Sequence, residues 1–308
     1  MTESSHNKGT LVCLTLIVVA TVAACITLVE QKRANSQSHD IEIAKPTLNG
    51  FSDVLWYLPN DDLLGFVEIP AGEFIMGSDP AQDRFAYANE RWSDRQKQGR
   101  VDVETFYIAR FETTNAQYTQ YLITRDRSDN VTELAINLLP AVNVTWAESI
   151  AYCQWLEDVL KNSTATPSGI KSLLANGYHV TLPDEAQWEK AARNSDGRVY
   201  PWGNQASTQF ANFQAKGPLP VGSKNCASCS YGLQDMSGNV WELTRSFYLP
   251  YPFDPQQAPD PSADALMIMR GGSFADGPNN ARAATRGGVD PGARNGSIGF
   301  RIVLSADK

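Results

Sequence analysis

Gly232-Leu-Gln-Asp-Met-Ser-Gly-Asn-Val-Trp-Glu-Leu-Thr244 is the stretch on which the reading of this chain turns. Asp235 and Glu242 bracket Gly238-Asn239, a pair that permits a tight turn because both residues tolerate positive φ. Two further runs follow, Arg270-Gly-Gly-Ser-Phe274 and Gly299-Phe-Arg301. The last cysteine is Cys229, so the segment Ala275-Asp-Gly-Pro-Asn-Asn-Ala-Arg282 offers hard oxygen and amide groups and no thiol. A soft metal ion or a thiol-based oxidation finds no ligand there.

Outward from these runs, composition narrows the class. The 308 residues carry 26 Lys and Arg against 34 Asp and Glu, a net charge of −8. With no basic run and no zinc-finger spacing, this argues against nucleic acid as a partner. Seven Trp and an apolar fraction of 42% supply one sizeable core. The chain divides into an N-terminal membrane anchor or signal (1–33), a polar linker without apolar periodicity (34–53) and a domain over 54–308. Thr10 to Val29 is uncharged and long enough to cross a bilayer as a helix. It also exceeds the usual apolar core of an export signal, which favours a retained inner-membrane anchor and a periplasmic domain. The alternatives are a lipoprotein, because Val22-Ala-Ala-Cys25 resembles a lipobox, or secretion after cleavage. Against the lipoprotein, Ile26-Thr-Leu-Val29 continues the apolar run.

Cys226 and Cys229 form Cys-Ala-Ser-Cys in a polar loop. Zinc would need four ligands, and only three His exist, two of them before residue 40. A loop disulfide in an oxidising compartment is the favoured reading. Three helices are announced by capping-box spacing: Thr114 with Gln117, Thr145 with Glu148, and Asp184 with Gln187. The second carries Trp146, Ile150, Cys153, Leu156 and Leu160 at spacings of three and four, which makes Cys153 a core residue. On the third, Glu189 and Arg193 are expected to pair at i, i+4 on the solvent side. Val54 to Leu58 and Leu63 to Pro70 supply apolar, β-rich material, and the rest reads as short strands and long Gly-, Pro- and Asn-rich loops. His179, in a strand pattern, reads as a structural polar residue rather than a general base.

Read together, Phe66-Val-Glu-Ile-Pro-Ala-Gly-Glu-Phe-Ile-Met-Gly-Ser78, Glu112-Thr-Thr-Asn-Ala-Gln-Tyr118, Leu182-Pro-Asp-Glu-Ala-Gln-Trp188, Tyr200-Pro-Trp-Gly-Asn204 and the three runs quoted first resemble the formylglycine-generating-enzyme, or sulfatase-modifying factor, family. The resemblance covers about residues 66–304 and implies an α+β, C-type-lectin-like fold with little regular structure and long loops. It implies structural calcium at Asp235, Gly238, Val240 and Glu242, where two carboxylates and two turn carbonyls suit a hard cation. A second calcium site would use Asn212 and Phe213, but its acidic partner has no counterpart after Gln214. Catalytic members hold copper on two cysteines shortly after the Gly-Gly-Ser; both are missing here, so no copper and no catalytic residue is expected. Arg270, Arg282, Arg286 and Arg301 then read as ties between loops and carboxylates.

A scaffold kept without its thiols implies a non-enzymatic periplasmic binding or regulatory protein. Trp56 to Gly65 and Asn89-Glu-Arg-Trp92 resemble the periplasmic regulators of type VI secretion systems, which act upstream of a transmembrane Ser/Thr kinase by contact with its periplasmic part. The alternative is an oxidative maturation enzyme like the family's cysteine-independent periplasmic member that works on pyoverdine. Asp276 or Glu242 would then serve proton transfer.

Overall fold

Short apolar runs bounded by Gly and Pro form the strands, some of which, such as Ile298–Phe300 and Val303–Ser305, are buried on both faces. The computed structural model describes residues 62–125, 138–253 and 265–306, all within a compact unit spanning 47–308. The run Thr10 to Val29, the linker 34–53 and the segment Val54 to Leu58 lie outside the described residues. Among the described residues no helix is long and apolar enough to cross a membrane.

Strands β1 (Phe66–Ile69), β2 (Gly72–Met76), β3 (Gly99–Val103) and β4 (Phe106–Ala109) come first, followed by helices α1 (Asn115–Ile123), α2 (Trp146–Asn162) and α3 (Ser168–Ala175). Then come β5 (His179–Thr181), α4 (Glu185–Arg193), β6 (Trp241–Phe247), β7 (Met267–Arg270), β8 (Arg286–Val289), β9 (Ile298–Phe300) and β10 (Val303–Ser305). They form an antiparallel sheet β1-β4-β10-β5, a hairpin β2-β3, and a sheet β8-β7-β6-β9 in which β6 and β9 run parallel. The chain is therefore α+β, with long loops joining short strands.

All three expected capping boxes form, at Thr114, Thr145 and Asp184. Each satisfies backbone N–H groups that the first helical turn leaves without partners. Helix α3 has no sequence signature of this kind: Pro167 precedes it without a side-chain cap, and it is eight residues long. Helix α2 buries Tyr152, Cys153, Leu156 and Leu160 against β5 and β10. Each such apolar side chain contributes roughly 1.5–3 kcal/mol on leaving water.

Helix α4 corrects one expectation. Glu189 and Arg193 do pair, at 2.8 Å, but both are buried. The helix packs against β2, β3, β6 and β7, so its polar face meets other charged groups instead of water. Trp188, Ala191 and Ala192 of the same helix are completely buried with Ile69, Phe74, Phe106 and Val303.

Candidate functional site

The turn before β6 uses three residues at positive φ: Asp235 at 58°, Gly238 at 74° and Asn239 at 61°. A Cβ on Gly238 would lie 2.3 Å from the carbonyl oxygen of Asn212, so glycine is required by close approach as well as by conformation. The turn leads directly into β6, whose second residue, Glu242, stands opposite Arg270 of β7 and Gly299 of β9. Both Glu242 oxygens accept hydrogen bonds, from Arg301 Nε and Nη2 at 2.6 Å each and from Trp188 Nε1 at 2.6 Å. Glu242, Arg301 and Trp188 are all fully buried.

Two more buried carboxyls adjoin this pair. Asp235 Oδ2 accepts from the backbone N–H of Gly222 at 2.6 Å. Glu112 Oε2 accepts from Asn239 Nδ2 at 2.9 Å, while its Oε1 is buried with no hydrogen-bond partner among the described residues. Burial, reinforced by Asp235 and Glu242, pushes the Glu112 carboxyl well above the usual range despite Arg301 and Asn239. Burial likewise lifts Asp235 to about 6. Three carboxyls thus face the single guanidinium of Arg301.

That imbalance is the test of a cation here. The groups are hard oxygens, the local charge is negative in excess, and one carboxylate oxygen lacks a partner, all of which fit calcium. Glu242 is already matched by Arg301, so Asp235 and Glu112 are the carboxyls whose ionisation a cation would favour. Among the described residues no three His, Cys, Asp or Glu side chains stand in a metal-holding arrangement. Turn carbonyls, those of Gly238 and Val240, would have to complete the ligand set. Asn212 sits against the same turn, its carbonyl accepting from Asn239 N at 2.8 Å and its Nδ2 donating to Asn239 Oδ1 at 3.0 Å, while Phe213 packs with Ala211, Ala281 and Trp202. Asn212 thereby buttresses the first site.

The other arginines tie loops to carboxylates. Arg270 bonds Glu189 at 2.5 Å and Glu185 at 3.1 Å, and also the carbonyls of Ala283 and Ala284. Arg286 grips Glu185 with two bonds of 2.6 and 2.8 Å and lies 3.8 Å from the Tyr251 ring centroid. Arg282 bonds Asp83 at 2.7 Å and both oxygens of Glu90 at 2.6 and 2.8 Å. Burial opposes ionisation of Glu189, but Arg270 and Arg193 outweigh it and hold its pKa below the usual value. A depressed pKa contributes stability that is present above the unfolded-state value and lost as pH falls through the folded one. The chain should therefore lose stability below about pH 4, and Glu189→Gln should flatten that acid limb while lowering the melting temperature at pH 7, both measurable by thermal unfolding across pH.

The segment Ala275 to Arg282 is held from within. Asp276 accepts from Trp241 Nε1 at 2.9 Å, Ser273 N at 2.9 Å, Ser273 Oγ at 2.6 Å and Asn280 Nδ2 at 2.7 Å. With three bonds on Oδ2 and one on Oδ1, Asp276 is a loop staple. Asp276→Ala should cost about 2–3 kcal/mol, read from chemical unfolding, because it strands several donors together. His179 Nδ1 lies 3.0 Å from Glu157 Oε1, an arrangement that fastens β5 to α2. Cys226 and Cys229 are joined as a disulfide. Among the described residues Cys153 is the free cysteine; burial drives its thiol far above the usual value, so it is inert.

Residues 58–306 match the family profile described as "Sulfatase-modifying factor enzyme 1-like domain". The chain belongs to that family. Among relatives of this sulfatase-modifying-factor chain, mouse "Inactive C-alpha-formylglycine-generating enzyme 2" is 28% identical over 79% of this chain and 86% of its own length. "Serine/threonine-protein kinase pkn1" of Chlamydia pneumoniae is 26% identical over 79% of this chain but only 38% of its own length. In structure, PvdO from Pseudomonas aeruginosa superposes with a TM-score of 0.61 at 22% identity, over 78% of this chain and 94% of PvdO. That likeness establishes the shared C-type-lectin-like fold.

The tertiary structure brings Asp235, Gly238 and Glu242 close together and sets Asn212, read from sequence as part of a separate second site, against the same turn. It adds Glu112, Glu185, Glu90 and Asp83, which sequence reasoning passed over. Arg282 and Glu90 are 192 positions apart. No spacing rule reaches that far; the available signal was the set of arginines in the C-terminal motif segment, each of which needs a carboxylate partner once buried.

Proposed function

We propose that this chain is a non-enzymatic regulatory protein displayed in the periplasm by an N-terminal anchor, acting upstream of a transmembrane Ser/Thr kinase of a type VI secretion system by contact with its periplasmic part. One observation carries the non-enzymatic reading. The segment that would hold a catalytic thiol pair has none, and its polar side chains Asp276, Asn280 and Arg282 are all spent on internal bonds. Kinship with proteins named inactive formylglycine-generating enzyme 2 supports this reading, and the match to part of a chain named as a Ser/Thr kinase supports the link to a kinase. The Cys226–Cys229 disulfide suits an oxidising compartment. Structural calcium at Asp235, Gly238, Val240 and Glu242 belongs to the same proposal, with Glu112 adding charge.

Co-purification of the tagged full-length chain from membranes is the direct test. A Ser/Thr kinase should be enriched. Recovery of no membrane kinase, together with oxidation of a small molecule that Asp276→Asn or Glu242→Gln abolishes, would replace this reading with that of an oxidative maturation enzyme. The purified chain should also leave a Cys-containing sulfatase peptide unconverted by mass spectrometry, because Cys153 is sealed in the core and the other described cysteines are disulfide-bonded. Formylglycine in that peptide would refute the non-catalytic assignment.

A further inference from the structure

A second feature lies away from the calcium turn and the Asp276 loop. Hairpin β2-β3, the start of α4 and the segment Tyr251 to Phe253 enclose a cleft of about 510 Å³. Ligand-sized clefts fall in the range of about 300–1,000 Å³. Its apolar wall includes Trp92, Tyr251 and Phe253, with the Trp92 and Tyr251 ring centroids 5.4 Å apart and Phe253 left 44% exposed.

The charges on this cleft are unequal. Glu185 is neutralised by Arg270 and Arg286, and Asp184 is paired with Arg245 at 3.2 Å. Arg100, on the same rim, faces Glu73 at 3.4 Å. Asp102 and Glu104 are exposed and form no salt bridge among the described residues, although the Lys190 ammonium, bonded to the Pro70 and Gly72 carbonyls, attracts Asp102 from nearby. They lie at the end of β3, which pairs with β2 alone, so the opposite edge of β3 has no neighbouring strand among the described residues. A free strand edge is a template for another extended chain, with side chains of that chain alternating between the cleft and solvent.

We propose that this cleft receives an extended, basic segment of a protein partner, which adds to the β3 edge, sets Lys or Arg against Asp102 and Glu104, and places an apolar side chain between Trp92 and Phe253. Three separate observations converge on that one occupant. The unpaired edge calls for backbone, the exposed carboxylates, Glu104 above all, call for cations, and the aromatic wall calls for an apolar side chain. The inference rests on the reading of the chain as a partner-binding protein and adds where and by what chemistry it binds.

The experiment uses the full-length chain and a capped, fluorescently labelled six-residue peptide of alternating Lys and Val, followed by anisotropy. Binding is expected, with affinity falling at high salt because the contact is partly ionic. Asp102→Asn combined with Glu104→Gln should weaken it at least tenfold, and Phe253→Ala severalfold. These positions are exposed, so unchanged melting temperatures will show that the variants fold. The same peptide with Glu for Lys should not bind, and of the two peptides N-methylated on alternate sets of backbone nitrogens, the one whose methylated nitrogens face β3 should not bind. Equal binding of the Lys and Glu peptides overturns the charge assignment, and full binding of both N-methylated forms overturns the strand-edge assignment. Butylamine competing as well as the peptide would make this a small-cation site and overturn the peptide reading. The peptide assay needs no kinase. Peptide binding without kinase recovery would therefore remove the partner's identity and keep the cleft, whereas kinase recovery unaffected by Asp102→Asn with Glu104→Gln would remove the cleft and keep the partner.

Discussion

Arg282→Leu should destabilise the chain by about 3–5 kcal/mol, the cost of stripping the partner from a buried ion pair. The guanidinium is completely buried and, among the described residues, supplies every hydrogen bond to the Glu90 carboxylate, which is itself completely buried. It also binds Asp83 at 2.7 Å and the Asn279 carbonyl at 2.8 Å, so one side chain joins residues 83–90 to the far end of the 275–282 segment. Leucine keeps much of the volume and none of the donors. For a domain of this size the loss corresponds to a fall in melting temperature of roughly 10 °C, measured by calorimetry. Adding Glu90→Leu should recover a substantial part of the loss, since an apolar replacement of both partners removes the stranded charge. A melting temperature unchanged by Arg282→Leu would mean that the segment is not fastened through this arginine. The structural account of why a thiol-free loop is retained would then fail.

Calcium should raise the melting temperature of the full-length chain by several degrees over the same protein in excess chelator. Asp235 and Glu112 are buried carboxyls whose ionised forms are disfavoured first by burial and then by neighbouring carboxyls, Glu242 for Asp235 and Asp235 with Glu242 for Glu112, and Arg301 is already matched by Glu242. A divalent cation bound by the folded state alone relieves that repulsion. At a hundredfold excess over its dissociation constant it contributes about 2.7 kcal/mol. Asp235→Asn should abolish most of the shift, because it removes one of the two carboxylates not matched by Arg301. Magnesium should substitute poorly, since its smaller, rigid octahedral shell suits turn carbonyls less well. Identical unfolding curves with calcium and chelator would show that the carboxyl cluster is held by protonation instead.

What the sequence determines by itself is local or comparative. Capping boxes at Thr114, Thr145 and Asp184 are legible because the donor and acceptor lie three residues apart, and the structure forms all three. The apolar stripe of α2 and the core position of Cys153 follow from a 3.6-residue period. The α+β, C-type-lectin-like fold was legible through ordered motifs, with its long loops anticipated. The absence of any thiol after Cys229 is a sequence fact that no coordinates could alter.

What only the tertiary structure decides is which charges meet. From sequence, Glu189 and Arg193 are an ordinary helix-surface pair; in the fold the helix is covered on that face, and both become links in a buried network with Arg270. Asp276 and Glu242, which sequence leaves as candidates for proton transfer, prove to be bonded by Trp241, Ser273 and Asn280 in one case and by Arg301 and Trp188 in the other. Glu112, unremarked in its motif, becomes the carboxylate with an unpartnered oxygen. The physical reason is range. Capping, periodicity and turn preference act within one or two turns of chain, whereas desolvation and ion pairing depend on whatever packs against a group, such as Trp188 on Glu242 across 54 positions and Arg282 on Asp83 across 199.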